Sequence, residues 1–253
     1  MKRRDFVRLA GIAALTPGLA RVLPGAHPVG GLFADRWPGY DNALVIDALA
    51  GPIQFNIPQE RLPLGEAALS AVRRSGITAL NLTVNDRPTA EADAYQTTRA
   101  KIVGWQAEVD AHPELLTLVT TTAELRGAKS KNQLGVILGF QDGVPFEDDL
   151  GRLDEFYGMG VRIIQLTYNV ENKIGTGCLA PTDAGLTQLG REAVARMDDL
   201  GMLVDLSHCG PQTTLDGIAA STRPVSITHS GCRAVYDHPR SKDDATLKLL
   251  ADR

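Results

Sequence analysis

Two histidines close two strand-like runs in the last third of the chain. The first run is Met202-Leu203-Val204-Asp205-Leu206-Ser207-His208, and the second is Pro224-Val225-Ser226-Ile227-Thr228-His229-Ser230. Each is apolar and β-rich, then turns polar at its C-terminal end. Imidazole is a common metal ligand, and α/β barrels place their chemistry at the C-terminal ends of their strands. One such histidine alone reads as a structural residue. Two in matching positions on successive strands read as the start of a metal site, because one rim then receives both rings. Ser207 and Ser230 beside them do not make a Ser-His-Asp triad, since neighbours in a strand face opposite sides and no nucleophile elbow is present.

The elements that must carry these residues alternate. Strands are expected over Ala43–Ala48, Ile77–Val84, Leu115–Thr121, Leu134–Gln141 and Val161–Tyr168, followed by the two histidine runs. Helices are expected over Gly65–Ser75, Glu91–Ala111, Thr122–Lys129, Phe146–Tyr157, Leu186–Leu200, Pro211–Ala220 and Asp243–Ala251. Such alternation implies parallel strands joined by right-handed crossovers. A TIM-type α/β barrel fits best, and a doubly wound open sheet is the alternative. No Gly-x-Gly-x-x-Gly follows a strand, which counts against a dinucleotide-binding sheet. Asp252-Arg253 fall just past a helical stretch that in a barrel leads to another strand. The barrel is therefore expected to be incomplete at its C-terminal end, and one of the seven strands can lie outside it.

Bulk properties narrow the classes. The 253 residues are 43% hydrophobic with a net charge of −4, which suits one globular domain and points to no nucleic-acid partner. No run of 18 apolar residues suggests a transmembrane span. Three cysteines, Cys178, Cys209 and Cys232, make no disulfide framework, and Cys209 reads as a buried thiol. Residues 1–22 begin Met1-Lys2-Arg3-Arg4-Asp5-Phe6 and continue mildly apolar to about Ala20, as in a twin-arginine signal for export to the periplasm. They hold five cationic residues against Asp5, so their removal, with cleavage near Gly18-Leu19-Ala20, leaves a chain near −8. Residues 23–42 are Gly- and Pro-rich and read as a linker or N-terminal arm, with the barrel domain over 43–253.

Several of these segments, read together, resemble a known family. Gly160-Val161-Arg162-Ile163-Ile164-Gln165-Leu166-Thr167-Tyr168-Asn169, Gly185-Leu186-Thr187-Gln188-Leu189-Gly190 and both histidine runs are similar to bacterial members of the membrane (renal-type) dipeptidases, peptidase family M19. The resemblance is dense from Leu134 onward. It implies a TIM-type barrel, zinc at its mouth, metal-activated water attacking a dipeptide, and a homodimer. His208 and His229 fall on the family's two late metal histidines, and Arg240 on its substrate arginine. The guanidinium offers a planar fork of donors suited to a carboxylate or an oxyanion. Tyr168 stands where some members have a histidine near the scissile bond, placed to donate to an oxyanion.

The match is partial. Positions 49 and 51, where the resemblance implies a His-x-Asp pair, hold Leu49 and Gly51, and the bridging carboxylate position holds Gln141. The family's final-strand Asp has no counterpart here. A site built on Leu49, Gly51 and Gln141 has no anionic donor and is expected to stay empty. One zinc per chain is the expectation, held by His208, His229 and a third ligand at Asp142 or Asp47; by period-two alternation Asp47 shares a strand face with Leu49. Asp205, three residues before His208, is expected on the opposite face. The reading is thus a zinc-dependent hydrolase of small peptides; the alternative is a non-catalytic relative, a scaffold or small-ligand binder.

Overall fold

The computed structural model describes Trp37 and residues 39–52, 62–85 and 93–252. The expected signal over 1–22, most of the expected arm over 23–42, and the first residues of the helix expected from Glu91 lie outside the described residues.

From the N-terminal side the chain runs β1 (Ile46–Asp47), α1 (Glu66–Ser75), β2 (Ala79–Thr83), α2 (Ala94–Ala111), β3 (Leu116–Leu118), α3 (Thr122–Ser130) and β4 (Leu134–Phe140). It continues with α4 (Arg152–Gly158), β5 (Val161–Gln165), α5 (Gln188–Leu200), β6 (Leu203–Asp205), α6 (Pro211–Ala220) and α7 (Asp244–Ala251). Every strand pairing is parallel, and the main path is β1-β2-β4-β5-β6. The fold is α/β with an incomplete TIM-type barrel. The central strand β4, Leu134-Gly135-Val136-Ile137-Leu138-Gly139-Phe140, is buried along almost its whole length, as befits a parallel strand covered on both faces.

One expected strand stands off this path. β3 pairs with Leu134–Val136, and β5 takes over the same edge of β4 from Leu138, beside a bulge at Leu138/Gly139. Two short strands thus share one edge. Gly160 makes the junction possible: its φ is +99°, and an added Cβ would lie 3.2 Å from Leu118.

Local chemistry sets the element ends. Asp93 caps α2 by accepting from Tyr95 N, and Thr121 with Glu124 forms a reciprocal capping box on α3. Gly76 and Gly201 end α1 and α5 in the left-handed region. The single helix expected over Phe146–Tyr157 is instead a 3₁₀ turn, Val144–Phe146, followed by α4. The Asp149 carboxylate accepts from Gly151 N, a local turn that competes with helix continuation. Beneath the sheet Phe140, Phe146 and Phe156 are buried, with Phe140 edge-to-face on Phe156 at 4.9 Å.

The seventh expected strand is much reduced. The segment 224–230 makes one parallel bridge, Asp205 with Ser226, closed by Leu206 N to Ser226 O (2.8 Å) and Ser226 N to Val204 O (2.9 Å). The first histidine run likewise leaves the strand at Asp205 rather than at His208. The polar side chains after Asp205 bond to one another and to backbone, and they pull the chain out of the ladder.

Candidate metal centre

His208 and His229 meet. Their Nε2 atoms are 3.0 Å apart and their ring centroids 5.0 Å apart. His208 is 8% exposed, and Tyr168 stacks on its ring at 4.0 Å with the planes 17° apart. The ring's other nitrogen, Nδ1, lies 2.7 Å from Asn169 Oδ1. Asn169 reaches it from a left-handed backbone (φ 56°), which asparagine tolerates better than other side chains with a Cβ. The Cys178 thiol also donates toward that oxygen, at 3.7 Å.

His229 is fixed differently. Its Nδ1 lies 2.8 Å from Thr228 Oγ1, and its backbone N donates to Ser207 Oγ at 3.1 Å. Both hydroxyls sit 2.6 Å from oxygens of the buried Asp205 carboxylate, which also accepts from Ser207 N and Thr228 N. The His229 imidazole is pushed below its ordinary pKa by burial; Asp205 opposes this shift and Arg240 adds to it. A neutral ring is the form that ligates a metal.

Gln141 completes the immediate surroundings. Its Nε2 is 3.2 Å from His229 Nε2, its backbone N donates to Asn85 Oδ1, and its carbonyl accepts from Gln165 Nε2 at 2.5 Å. An added Cβ at Gly139, two residues earlier, would lie 2.1 Å from Asn81 Oδ1, so this stretch of β4 admits the Asn81 carboxamide only because residue 139 is glycine.

Arg240 lies behind the pair. Its two terminal nitrogens donate to Ser207 O and to His229 O, the latter at 2.5 Å. The fork grips the main chain of both histidine-bearing segments. Lys242, 3% exposed, ties the same region to α6 by donating to Cys209 O (2.6 Å) and Thr214 Oγ1 (2.8 Å). Burial pushes the Cys209 thiol up to about 11, so it stays a protonated packing group as its sequence context implied.

The expected third ligands do not join the histidines. Among the described residues no cluster of three or more His, Cys, Asp or Glu side chains is arranged for a metal. The Asp142 carboxylate accepts from Asn172 Nδ2 at 2.7 Å and from Val144 N, so it braces the loop after β5. Asp47 is exposed, and its carboxylate accepts from Leu49 N at 3.1 Å. That turn ends β1 at Asp47, so the strand alternation that would have put Asp47 and Leu49 on one face does not extend to Leu49. Gly51 lines an apolar cavity with Ala68, Val72 and Leu80. Asp205, expected to face away from His208, touches neither imidazole and is the hub to which Ser207 and Thr228 bind.

Comparison with known proteins adds the decisive observation. The family model of membrane dipeptidases, peptidase family M19, matches residues 43–253. The chain belongs to this family. Among curated relatives, an uncharacterized dipeptidase of Schizosaccharomyces pombe is 30% identical over 54% of this chain and 34% of its own length. A dipeptidase, verJ, of Clonostachys rogersoniana is 28% identical over 64% of this chain and 42% of its own. The chain thus spans about a third to two fifths of these two relatives' length. Among solved structures, an amidohydrolase from Pseudomonas aeruginosa is 33% identical, with a TM-score of 0.74 over 84% of this chain and 61% of the other. A metallopeptidase from Rhodobacter sphaeroides, liganded with a phosphinate mimic of L-Ala-D-Ala, shares the fold at 20% identity, with a TM-score of 0.67 over 73% of this chain and 61% of that one.

The family's members are metallopeptidases, so the donor set can be weighed against a zinc ion. Two imidazole nitrogens on one tetrahedral zinc lie about 3.3 Å apart, given zinc–nitrogen distances of about 2.0–2.1 Å. The observed 3.0 Å requires only a small opening. The two late histidines therefore fit one zinc. Leu49, Gly51 and Gln141 offer no anionic donor, and the family's other position does not fit.

Proposed function

We propose that this chain is a single-zinc hydrolase of small peptides, built on the histidine half of the dipeptidase site. The observation that carries this is the 3.0 Å approach of His208 Nε2 and His229 Nε2, with both Nδ1 atoms hydrogen-bonded behind them. His208 and His229 would hold the ion, and Gln141, whose NH₂ lies 3.2 Å from His229 Nε2, stands beside it. Zinc, when bound, supplies Lewis acidity toward a carbonyl and acidifies water. The chain's own residues do the rest. Asn169 and Thr228 orient the rings, Arg240 holds the two segments in register, and Tyr168 braces His208 from one face. Membership of the dipeptidase family supports a dipeptide as substrate. Incubation of the purified chain with a dipeptide panel is expected to release amino acids, with loss of the activity on chelation. Absence of turnover by the zinc-loaded chain contradicts the proposal.

One observation favours a second reading. With Leu49, Gly51 and Gln141 in place of charged ligands, the fold can persist as a non-catalytic relative that binds a small ligand. The same panel separates the two, since this reading predicts no release at any zinc concentration. The basic, twin-arginine start of the chain supports export to the periplasm as part of either reading.

A further inference from the structure

The hydrogen-bond system behind the histidines has a direction that can be followed from one fixed point. That point is Asp205, 2% exposed at the end of β6. A carboxylate only accepts. Ser207 Oγ and Thr228 Oγ1 lie 3.1 Å from each other but each only 2.6 Å from one of its oxygens, and so spend their single hydrogens on it. Each hydroxyl is then left to accept. Ser207 Oγ accepts the backbone N–H of His229 (3.1 Å), and Thr228 Oγ1 accepts from His229 Nδ1 (2.8 Å). His229 must carry its hydrogen on Nδ1, which leaves a lone pair on Nε2. The Gln141 NH₂ at 3.2 Å from Nε2 agrees, because an amide nitrogen can only donate. At His208 the partner of Nδ1 is the Asn169 carbonyl oxygen, an acceptor, so that ring too has its lone pair on Nε2. In this assignment both lone pairs face the same 3.0 Å gap, which then holds no hydrogen and whose repulsion a cation would relieve.

We infer that Asp205 is a positioning residue that sets the tautomer of His229 through the Thr228 hydroxyl and seats its backbone through Ser207. The metal-free chain is thereby held in the state ready to receive a cation. Asp205 touches neither ring. The inference rests on the single-zinc reading for its purpose, but the tautomers belong to the chain without metal.

Long-range ¹⁵N–¹H correlation spectra of the imidazoles in the metal-free full chain test it. Both His208 and His229 are expected as neutral Nδ1–H tautomers. Thr228→Val is expected to move His229 toward the Nε2–H form and to weaken zinc binding about 10- to 100-fold, the range for loss of such an outer hydrogen bond. Thr228→Ser is expected to restore both, and Asp205→Asn, which turns one acceptor into a donor, to act as Thr228→Val does. An Nε2–H His229 in the unaltered chain, or an unchanged His229 tautomer in a folded Thr228→Val, overturns the inference. Two Nδ1–H rings in a chain that takes up no zinc uphold the positioning role and defeat the zinc reading instead.

Discussion

Replacing Gln141 by Glu puts a charge where the account needs a cation. The carboxamide already lies 3.2 Å from His229 Nε2, and the residue's backbone N–H and carbonyl are held by Asn85 and Gln165, so an isosteric carboxylate is carried to the same place. A divalent cation and one negative charge about 4 Å apart attract by about 8 kcal/mol at an effective dielectric of about 20. Taking the carboxylate partly out of water returns several kcal/mol of that. A net gain of about 2–4 kcal/mol remains, or roughly a 30- to 1,000-fold tighter zinc dissociation constant. Competition with a chromophoric chelator at fixed pH measures it directly. The direction does not depend on activity, so a catalytically silent chain still gives an answer. An affinity changed by less than about threefold, or a weaker one, contradicts the placement of residue 141 beside the cation site.

Three further outcomes are expected. Arg240→Met removes two charge-assisted hydrogen bonds from Ser207 O and His229 O. It is expected to cost about 2–4 kcal/mol in urea unfolding once solvent screening of a half-buried group is allowed for; a midpoint within error of the parent contradicts the clamp. Burial holds the folded-state pKa of His229 below its ordinary value, so the unfolded chain binds the proton more readily. Stability is therefore expected to fall as pH is lowered through and below the ordinary imidazole range, and a His229→Gln variant is expected to show a shallower fall in pH-dependent unfolding. Replacing Arg3 and Arg4 by Lys is expected to keep a fused reporter in the cytoplasm, whereas continued periplasmic appearance argues against the twin-arginine reading.

Much of this was readable from residue order. Alternating β-rich and amphipathic runs gave the parallel sheet, and matching polar ends gave the meeting of His208 and His229, because both follow from local pattern and barrel geometry. What was not readable depends on where a strand stops. Alternation sets Asp205 apart from His208 but gives no sign that the ladder ends at Asp205 and that Ser207 and Thr228 fold back onto its carboxylate. The runs Asp-Leu-Ser-His and Ile-Thr-His did carry a signal: a hydroxyl directly before each histidine. Asp47 misled for the same reason, since its turn to Leu49 cuts β1 short. Asn169 could have been suspected from asparagine's tolerance of the left-handed region in a loop after a strand, but its bond to His208 spans 39 positions and left no local trace. Only the family resemblance gave Arg240 a substrate role; that its fork meets two backbone carbonyls is something sequence does not display.

Zinc content of the purified full chain tests the central claim most directly. After dialysis against trace zinc, elemental analysis is expected to give close to one ion per chain, with both His208→Ala and His229→Ala near zero while retaining the parent circular dichroism. A metal-free parent chain, or a bound ion that survives both substitutions, contradicts a cation shared by these two imidazoles.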